Sequence, residues 1–530
     1  MPRGLIDPYR VVEERNIMRR TDYRGDGRGF VASAPGNGHM FAGSAMGGQN
    51  GLRIRENIGR ENIRRPPSGQ VVALLFLLLL LLPVRKAWAD NPDASDPTGL
   101  WGRSNLLGDM GGLRTFLGQY GITFLLSETS ETLGNVTGGI HRGFIYEGAT
   151  IMALSMDTDK AFGWRGGTFY ASAVQLHGRG LSENNLDNIN TVSGIEADRT
   201  TRLWELWYQQ SFAGGKANVK VGQIGIDQEF MVSQGASLYV NAMMGWPALP
   251  ASDLYAGGPA FPLSSPAVRL MVQPDSSFTV LAGVFDDNPP GGSFNNDSQL
   301  REAEASGTRF NMTTGALCIT EIQYAVNQSS PEGGGKSTWL PGTYKLGAWY
   351  DSGKFPDQRF TASGLSIADP EGDGIARMVF NNYSIYGVAD QAVWQEKGGP
   401  RTVAVFGRLM GAPGNQNLIN WNLNAGVNVT ALLPGRSNDV CGIGFGWAHV
   451  SGAAAGLDRA ISFYSGAPYP VRGAESFIEL TYQCQVTPWW TIQPDLQYIM
   501  NPGGGVPNPL NPSRLVGNEL VMGVRTVINF

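Results

Sequence analysis

The final segment of the chain alternates in polarity with a period of two. The positions on one side are Phe530, Ile528, Thr526, Val524, Met522 and Leu520, and those on the other are Asn529, Val527, Arg525, Gly523, Val521 and Glu519. Because successive side chains of a strand point to opposite faces of its sheet, this pattern predicts a strand with one apolar face. In a membrane barrel that face meets lipid, and the terminal aromatic suits the aromatic ring at the membrane interface.

The same alternation recurs upstream, in short segments separated by Gly, Asn, Asp and Pro. Trp490, Ile492, Leu496 and Tyr498 alternate with Thr491, Gln493, Asp495 and Gln497, and Trp204, Leu206 and Tyr208 alternate with Leu203, Glu205, Trp207 and Gln209. Pro494 falls on the apolar face and requires a local irregularity in the hydrogen-bonded ladder. Loops such as 288–299 and 327–337 are expected to be long extracellular connections. These segments predict an all-β, transmembrane antiparallel β-barrel.

Composition supports strands over helices. Glycine accounts for 72 of 530 residues, charged residues for 16%, and the mean hydropathy is −0.15. A membrane barrel has such an average because only alternate residues face lipid. Residues 1–89 carry a net charge of +7 against −5 for the whole chain, which leaves −12 for residues 90–530. This acidic body argues against nucleic-acid binding, which requires a basic face.

The apolar run Val71–Leu82 resembles the core of a secretory signal peptide. It has 12 residues, whereas a membrane-spanning helix needs about 20. An A-x-A site follows at Ala87–Ala89, which predicts cleavage after Ala89. Arg85 and Lys86 are unusual between these features, and the long polar region before the run leaves two further readings open. In the first reading, translation starts downstream of Met1, at Met40 or Met46. In the second, the apolar run is a single-pass membrane anchor.

The chain is therefore divided into three parts. Residues 1–89 are an N-terminal extension and signal peptide, 90–122 a periplasmic segment with a short helix, and 123–530 the barrel. The helix is predicted over Gly112–Gln119, because Leu113, Phe116 and Leu117 fall on one helical face.

No catalytic or metal-binding constellation is found in the exported body. His141, His177 and His449 are far apart and form no H-x-x-x-H pair, so each is expected in a loop or the lumen. There is no G-x-S-x-G motif. No catalytic residue, metal or cofactor is expected.

Two loops imitate known motifs. Gly333–Ser337 resembles a phosphate-binding loop but has Ser330 where the first glycine is required. Asp369–Asp373 has carboxylates at calcium-loop spacing but Phe380 at the position of the required Glu. A weak calcium contact is left open there.

The three cysteines are widely spaced and form no C-x-x-C motif. Cys318, Cys441 and Cys484 are an odd number and cannot all pair within the chain. A bridge between Cys441 and Cys484 is left open.

Several stretches in order along the body resemble the carbohydrate-selective porins of the OprB family. They include Leu106–Arg114, Tyr120–Phe124, Gly163–Phe169, Arg202–Gln210, Tyr386–Trp394 and Gln493–Tyr498. The likeness runs from about residue 100 to 530. It implies a barrel of sixteen antiparallel strands in the bacterial outer membrane, with an inward-folded constriction loop. It also implies diffusive uptake of glucose and similar small sugars.

The polar faces of the predicted strands supply the candidate pore-lining residues. They are Glu147, Arg202, Glu205, Trp207, Lys220, Glu479, Gln493, Asp495, Gln497, Glu519 and Arg525. Strict alternation places Arg202 on the opposite face, with Trp204. The expected partners are small sugars, outer-membrane lipid, the barrel-assembly machinery through Phe530, and further copies of the chain in a homo-oligomer.

Three other functions remain open at this point. A general or ion-selective porin would conduct without regard to sugar. An outer-membrane enzyme such as a lipase would need a Ser–His pair in the folded protein. A secreted, non-channel β protein would fractionate away from the membrane.

Overall fold

A computed structural model describes residues 99–292, 305–327 and 340–530. The predicted extension, signal peptide and cleavage site lie outside these residues, as do Gly333–Ser337 and most of the loops 288–299 and 327–337. The described chain forms a closed barrel of sixteen strands, each antiparallel to its neighbours. This confirms the predicted fold class and strand number.

The barrel closes by pairing its first strand with its last. Fifteen strands follow in chain order: β1 Ile122–Thr137, β2 Gly143–Asp157, β3 Gly167–Gly178, β4 Thr200–Phe212, β5 Ala217–Ile224, β6 Ser265–Val272, β7 Phe278–Asp286, β8 Ala316–Val326, β9 Gly342–Thr361, β10 Ala376–Gln395, β11 Thr402–Gly411, β12 Ile419–Thr430, β13 Val440–Val450, β14 Ala474–Thr487 and β15 Trp490–Met500. A small hairpin, β16 Pro507–Asn508 and β17 Asn511–Leu515, precedes the last barrel strand, β18 Glu519–Asn529. In the closing pair Glu131 lies opposite Arg525.

The helices are short, and none of them forms part of the barrel wall. They are α1 Gly99–Gly102, α2 Leu113–Gln119, α3 Thr158–Phe162, α4 Ala242–Gly245, α5 Ala248–Asp253 and α6 Gly452–Ser465. The helix predicted near Gly112 is observed as α2. It buries Leu117, while Leu113 is exposed. Within the described ranges, no helix is both long enough and apolar enough to cross a membrane.

The wall is polar inside and apolar outside. Leu346, Ile385 and Ile443 expose 68%, 64% and 58% of their surface, whereas Glu321 and Glu479 expose none. In water this distribution would be unfavourable, because apolar surface would meet solvent and charge would be buried. It suits a wall with lipid outside and a polar interior.

The N-terminal segment that contains α1 and the chain up to α2 lies at the end of the barrel that holds the C-terminus. The amide of Leu106 donates to the carbonyl of Asn529 at 2.8 Å, and the indole of Trp489 donates to the carbonyl of Leu100 at 2.8 Å. Strand direction assigns the connection after Val326 to this same end, and the connection after Asp286 to the opposite end. The prediction that loops 288–299 and 327–337 are both extracellular is therefore wrong. The strands that the first loop connects meet it at one end of the barrel, and those that the second loop connects meet it at the other end.

A β-bulge in β4 corrects the predicted face of Trp204. Ala171 pairs with Leu206 but Ala173 pairs with Leu203, so β4 gains one residue between the two pairs. Because side chains alternate, the extra residue turns Trp204 inward, where its ring meets Phe261 edge-on at 5.1 Å. Leu203 turns outward instead.

The same bulge brings Arg202 to the inner face, where strict alternation did not place it. Pro494 is accommodated without a bulge of this kind. On either side of it Thr481 pairs with Asp495 and Cys484 with Ile492, which is a single register.

Candidate functional site in the barrel lumen

The chain between β5 and β6, residues 225–264, folds into the lumen, and we call it the inner segment. It contains α4 and α5 and several short 3-10 turns. Val240, Ala248 and Leu249 are fully buried within it. The inward-folded loop that the family resemblance implied is therefore present.

One guanidinium group holds the middle of the inner segment. Arg408 on β11 is fully buried. Its Nη1 donates to the carbonyls of Met231 and Gly245, both at 3.0 Å, and its Nη2 donates to those of Met243 and Met244 at 2.8 and 2.9 Å. Carbonyls at a helix end have no partner within the helix. Arg408 satisfies those of α4 inside the barrel.

Carboxylates on two other strands hold the segment through its amides. Glu479 on β14 accepts from the amides of Val240 and Asn241 at 2.6 and 3.3 Å. Asp390 on β10 accepts from the amide of Gly235 at 2.9 Å. Hydrogen bonds to charged groups are stronger than neutral ones. The segment is thus fastened to several sides of the wall.

A second loop, residues 179–199 between β3 and β4, also folds inward. The amide of Asn190 donates to Glu475 of β14 at 2.6 Å. The amide of Gly194 donates to the carbonyl of Val240 in the inner segment at 2.9 Å. The two inward loops support each other and narrow the lumen.

Aromatic and basic side chains on the inner face of β3–β6 meet Glu229 of the inner segment. We call Tyr170, Trp207, Lys220, Glu229 and Arg269 the lumen cluster. The rings of Tyr170 and Trp207 are stacked with centroids 4.8 Å apart, and Lys220 Nζ lies 3.9 Å from the Trp207 ring centroid. Glu229 pairs with Lys220 and, at 2.8 Å, with Arg269 Nε. Flat ring surface and paired charges therefore lie side by side.

Comparison with known proteins agrees with this geometry. The carbohydrate-selective porin model of the OprB family matches residues 141–530. The chain belongs to the OprB family of carbohydrate-selective porins. It is accordingly an outer-membrane porin for carbohydrates.

Relatives cover most of this OprB-family chain. Porin B of Pseudomonas aeruginosa is 26% identical over 468 residues, covering 84% of this chain and 96% of Porin B. The putative porin QuiX of Acinetobacter baylyi is 23% identical over 425 residues, covering 76% of this chain and 89% of QuiX. The high-pH structure of Pseudomonas putida OprB has the same fold, with a TM-score of 0.69 at 24% identity, covering 81% of this chain and 99% of that one.

The sequence-derived pore candidates of this OprB-family porin all lie on the inner face of the wall. They are Glu147, Arg202, Glu205, Trp207, Lys220, Glu479, Gln493, Asp495, Gln497, Glu519 and Arg525. Trp207 and Lys220 belong to the lumen cluster. Whether any of the eleven touches a passing solute stays a prediction.

Several of these candidates form hydrogen bonds to the backbone of the inward loops. Gln493 Nε2 donates to the carbonyl of Leu238 at 2.8 Å, and Gln497 Nε2 donates to that of Val192 at 2.8 Å. Arg202 Nη1 donates to the carbonyl of Pro262 at 3.2 Å. These side chains position the loops.

The other candidates contact either the inner segment or the neighbouring wall. Glu205 accepts from the amide of Gly225 at 3.0 Å. Arg525 pairs with Glu131 across the closing seam, and Asp495 accepts from Gln497 at 2.9 Å. Glu147 and Glu519 are both buried on the inner face, Glu147 opposite Glu131.

Sequence reasoning missed Arg408, Arg269 and Glu321, although a signal for them exists. Each is a lone charge at an inward position of an otherwise alternating strand. Arg269, for example, stands between Val268 and Leu270, which expose 50% and 43% of their surface outside. No pattern in the sequence shows that Arg408 would reach the inner segment.

The structure shows the surroundings of the acidic loop and of the three cysteines that the sequence singled out. The described ranges contain no group of three or more His, Cys, Asp or Glu side chains that could hold a metal ion. Asp369 accepts from the hydroxyl of Tyr464 at 2.7 Å. All three cysteines are free thiols, so the Cys441–Cys484 bridge is not formed.

His177 is on neither a loop nor the lumen wall. It is the outward residue of β3 that pairs with Gly148, whose neighbour Glu147 faces inward. The expectation of a loop or lumen position is wrong for this histidine, because alternation at the end of β3 turns it outward. It is also wrong for His449, which lies on the outer face of β13 with Trp447.

Two carboxyl groups in the inward loops titrate near neutrality. Burial raises the pKa of Asp227 to about 6. Burial also raises the pKa of Glu196 to about 7, although Glu196 accepts from the amide of Glu183 at 3.1 Å. The charge of the inward loops therefore changes within the physiological pH range.

Arg408→Met should loosen the inner segment. The substitution leaves four buried carbonyls without their donor, at a cost of about 1–3 kcal/mol for each unsatisfied group. In planar bilayers we expect several-fold more frequent current transitions than in wild type. Arg401→Met, which removes a donor to Ala431 in a turn outside the lumen, should leave the traces unchanged. Equally quiet traces from a folded Arg408→Met barrel would contradict the anchoring role.

The ion preference of the pore should depend on pH through Asp227. Because its pKa is raised to about 6, the carboxylate is mostly ionised at pH 7 and mostly protonated at pH 5. Loss of this negative charge should lower the cation-to-anion permeability ratio as pH falls. Reversal potentials in a salt gradient measure the ratio. Asp227→Asn should make the change with pH smaller, since Glu196 still titrates, and Asp159→Asn in α3 should leave it unchanged. Identical profiles for Asp227→Asn and wild type would disprove the assignment.

Proposed function

We propose that this porin carries small neutral sugars of glucose size by passive diffusion past the lumen cluster. The observation that supports this proposal is the stacked pair Tyr170–Trp207 beside the Lys220–Glu229–Arg269 charges. A barrel of sixteen strands leaves room for an aqueous path. Solute then moves down its concentration gradient.

The chemistry of the cluster suits a sugar. Hydroxyl groups both donate and accept, so they find acceptors on Glu229 and donors on Lys220 and Arg269. The C–H face of a pyranose ring is apolar and can lie against the stacked Tyr170–Trp207 pair. The solute can thus exchange water for matched partners without being held tightly, as conduction requires.

The charges of the cluster argue against a general or single-sign ion pore. Lys220 and Arg269 flank Glu229, so neither cations nor anions meet a ring of one sign. Selectivity for ions usually rests on such rings. We further propose that the protein is a channel without enzymatic activity.

Among the eleven candidates, we propose that Trp207 and Lys220 meet the solute directly. Gln493, Gln497 and Glu479 instead hold the inward loops. The division follows from what each side chain contacts. Substitution of the first group should alter sugar interaction, and substitution of the second should alter the stability of the constriction.

Trp207→Ala should weaken the interaction with sugar while keeping the pore open. Contacts between a sugar and an aromatic ring depend on ring surface, which alanine lacks. We therefore expect the affinity measured from sugar-induced current block to fall by roughly tenfold, or about 1.4 kcal/mol. Bilayer recordings with glucose and maltose measure it. Trp447→Ala removes a tryptophan from the outer face of β13 and should have no effect. Unchanged block in Trp207→Ala would remove the aromatic contact from the proposal.

We also propose that Phe530 serves the barrel-assembly machinery and that the outer face is surrounded by lipid and by further copies of the chain. Phe530 ends the closing strand, and its amide donates to the carbonyl of Leu126 at 2.9 Å. A terminal aromatic therefore contributes both to recognition and to closure.

Phe530→Ser should separate these two contributions. If the residue is recognised during assembly, the folded, heat-modifiable fraction in outer membranes should fall several-fold, while refolding of the purified chain in detergent should be little changed. Phe278→Ser, at an exposed aromatic on the first residue of β7, is the matched control. Equal loss in both settings would indicate closure alone.

A further inference from the structure

Two buried carboxylates meet at the end of the barrel opposite to the C-terminus. Asp287 directly follows β7, and Asp351 lies on β9 opposite Leu317, near the start of β8. Neither Asp287 nor Asp351 exposes any of its surface. Their side chains are within hydrogen-bonding distance of each other. We call Asp287 and Asp351 the carboxylate pair.

One oxygen atom of each carboxylate has no partner. The hydroxyl of Thr314 donates to Asp287 Oδ1 at 2.5 Å, and the amide of Gly353 donates to Asp351 Oδ1 at 2.7 Å. The other two oxygens, Asp287 Oδ2 and Asp351 Oδ2, are buried and accept no hydrogen bond. Because charge is costly to remove from water, buried carboxylates are normally paired or bound to a metal ion.

The neighbouring side chains supply no positive charge. Among the described residues, no Lys or Arg side chain forms an ion pair with the carboxylate pair. The nearby Asp286 adds a third negative charge. Its Oδ1 accepts from the amide of Asn288 at 3.1 Å, while its Oδ2 is also buried without a partner. This corner of the wall therefore lacks a counter-charge from the described chain.

Two glycines leave open space beside the carboxylate pair. A Cβ atom on Gly353 would lie 2.7 Å from Asp287 Oδ2 and 2.9 Å from Asp351 Oδ1, so both carboxylates face the place where a side chain is missing. A Cβ atom on Gly315 would also meet Asp287 Oδ2 and would lie 3.1 Å from Ser352 Oγ. Neither glycine has a positive φ. Their backbone conformation does not require glycine, whereas the space beside the pair does.

The available donor atoms determine which kind of ion suits this space. In the described ranges no three acidic, histidine or cysteine side chains surround one point, which disfavours zinc and similar metals. Ca²⁺ instead combines carboxylate oxygens with hydroxyl, carbonyl and water oxygens, roughly six to eight in flexible geometry. The carboxylate pair, the hydroxyl of Ser352 and water provide oxygens of these kinds. Thr314 and Gly315 are partly exposed, so a hydrated ion can approach from the rim.

We propose that Asp287 and Asp351 bind one Ca²⁺ ion in the space beside Gly353 and Gly315. The ion joins the connection after β7 to β9. Tyr255 of the inner segment borders the same space, since its Cε2 lies 2.8 Å from the Cβ position of Gly353. The ion therefore fastens the wall at a point where the inner segment meets it. The inference is independent of the solute that the pore conducts.

Terbium luminescence tests the site on purified porin in detergent. Tb³⁺ replaces Ca²⁺ at oxygen sites, and a nearby phenol ring such as that of Tyr255 sensitises its emission. We expect Ca²⁺ to displace the sensitised Tb³⁺ with a dissociation constant of about 10⁻⁴–10⁻³ M, the range of extracellular calcium modules. Asp351→Asn removes one ligand charge and should raise this constant at least about tenfold.

Gly353→Ala tests the space separately from the charge. The variant keeps both carboxylates but places a methyl group between them, so it should also raise the constant at least about tenfold. Asp369→Asn is the matched control, because it removes a carboxylate from the acidic loop between β9 and β10. It should leave the constant unchanged. Heat-modifiable mobility verifies the folding of each variant, and if either Asp351→Asn or Gly353→Ala fails to fold, the other decides.

Three results would overturn the proposal. The first is a wild-type protein that binds no Ca²⁺. The second is a wild-type constant in Asp351→Asn and Gly353→Ala, which would indicate that the carboxylate pair shares a proton. The third is a loss of binding in Asp369→Asn alone, which would place the ion in the acidic loop.

The temperature of the heat-modifiable transition provides a readout that does not use terbium. An ion that binds only the folded barrel raises its apparent stability. Ca²⁺ should therefore raise the transition temperature of the wild-type porin above its value in EDTA, and should do so much less in Gly353→Ala. Equal rises in both proteins would show that Ca²⁺ acts elsewhere and would contradict the proposal.

Discussion

The inner segment depends on Arg408, a single buried guanidinium that faces four backbone carbonyls. A loop placed inside a barrel has no sheet to satisfy its polar backbone groups, and each unsatisfied group is costly. Arg408 supplies the donors, while Glu479 and Asp390 supply acceptors for the amides. Since the segment narrows the lumen, the width of the lumen depends on these three side chains.

The remainder of the architecture follows from the inverted polarity of the wall. Lipid outside requires apolar residues at alternate positions, which leaves the intervening positions free to carry charge. The lumen can therefore hold many more ionisable groups than a protein core, provided that they pair. Lys220, Glu229 and Arg269 pair with one another, and Arg525 pairs with Glu131. The same inversion makes the outward polar residues Glu128 and His177 exceptional.

Much of the barrel could be predicted from the sequence, because alternation with period two is a local signal. It identified the inward face of β14, β15 and β18, and the family resemblance supplied the strand number. It failed at Trp204, since a bulge inserts one residue and reverses the faces beyond it.

The inner segment was beyond prediction from alternation. Its contacts join residues far apart in the chain, such as Arg408 with Met243, and no local pattern encodes them. His177 was misplaced for a related reason, because polarity alone does not distinguish a residue that faces the lumen from a polar residue on the outer face of the wall.

Liposome swelling tests the central claim most directly. Vesicles that contain the purified porin are diluted into isotonic glucose, maltose, or a charged solute of similar size, and the initial swelling rates are compared. A sugar-selective pore predicts fast swelling in glucose and much slower swelling in the charged solute. Equal rates for neutral and charged solutes of one size would contradict the account, because the lumen cluster would then exert no selection.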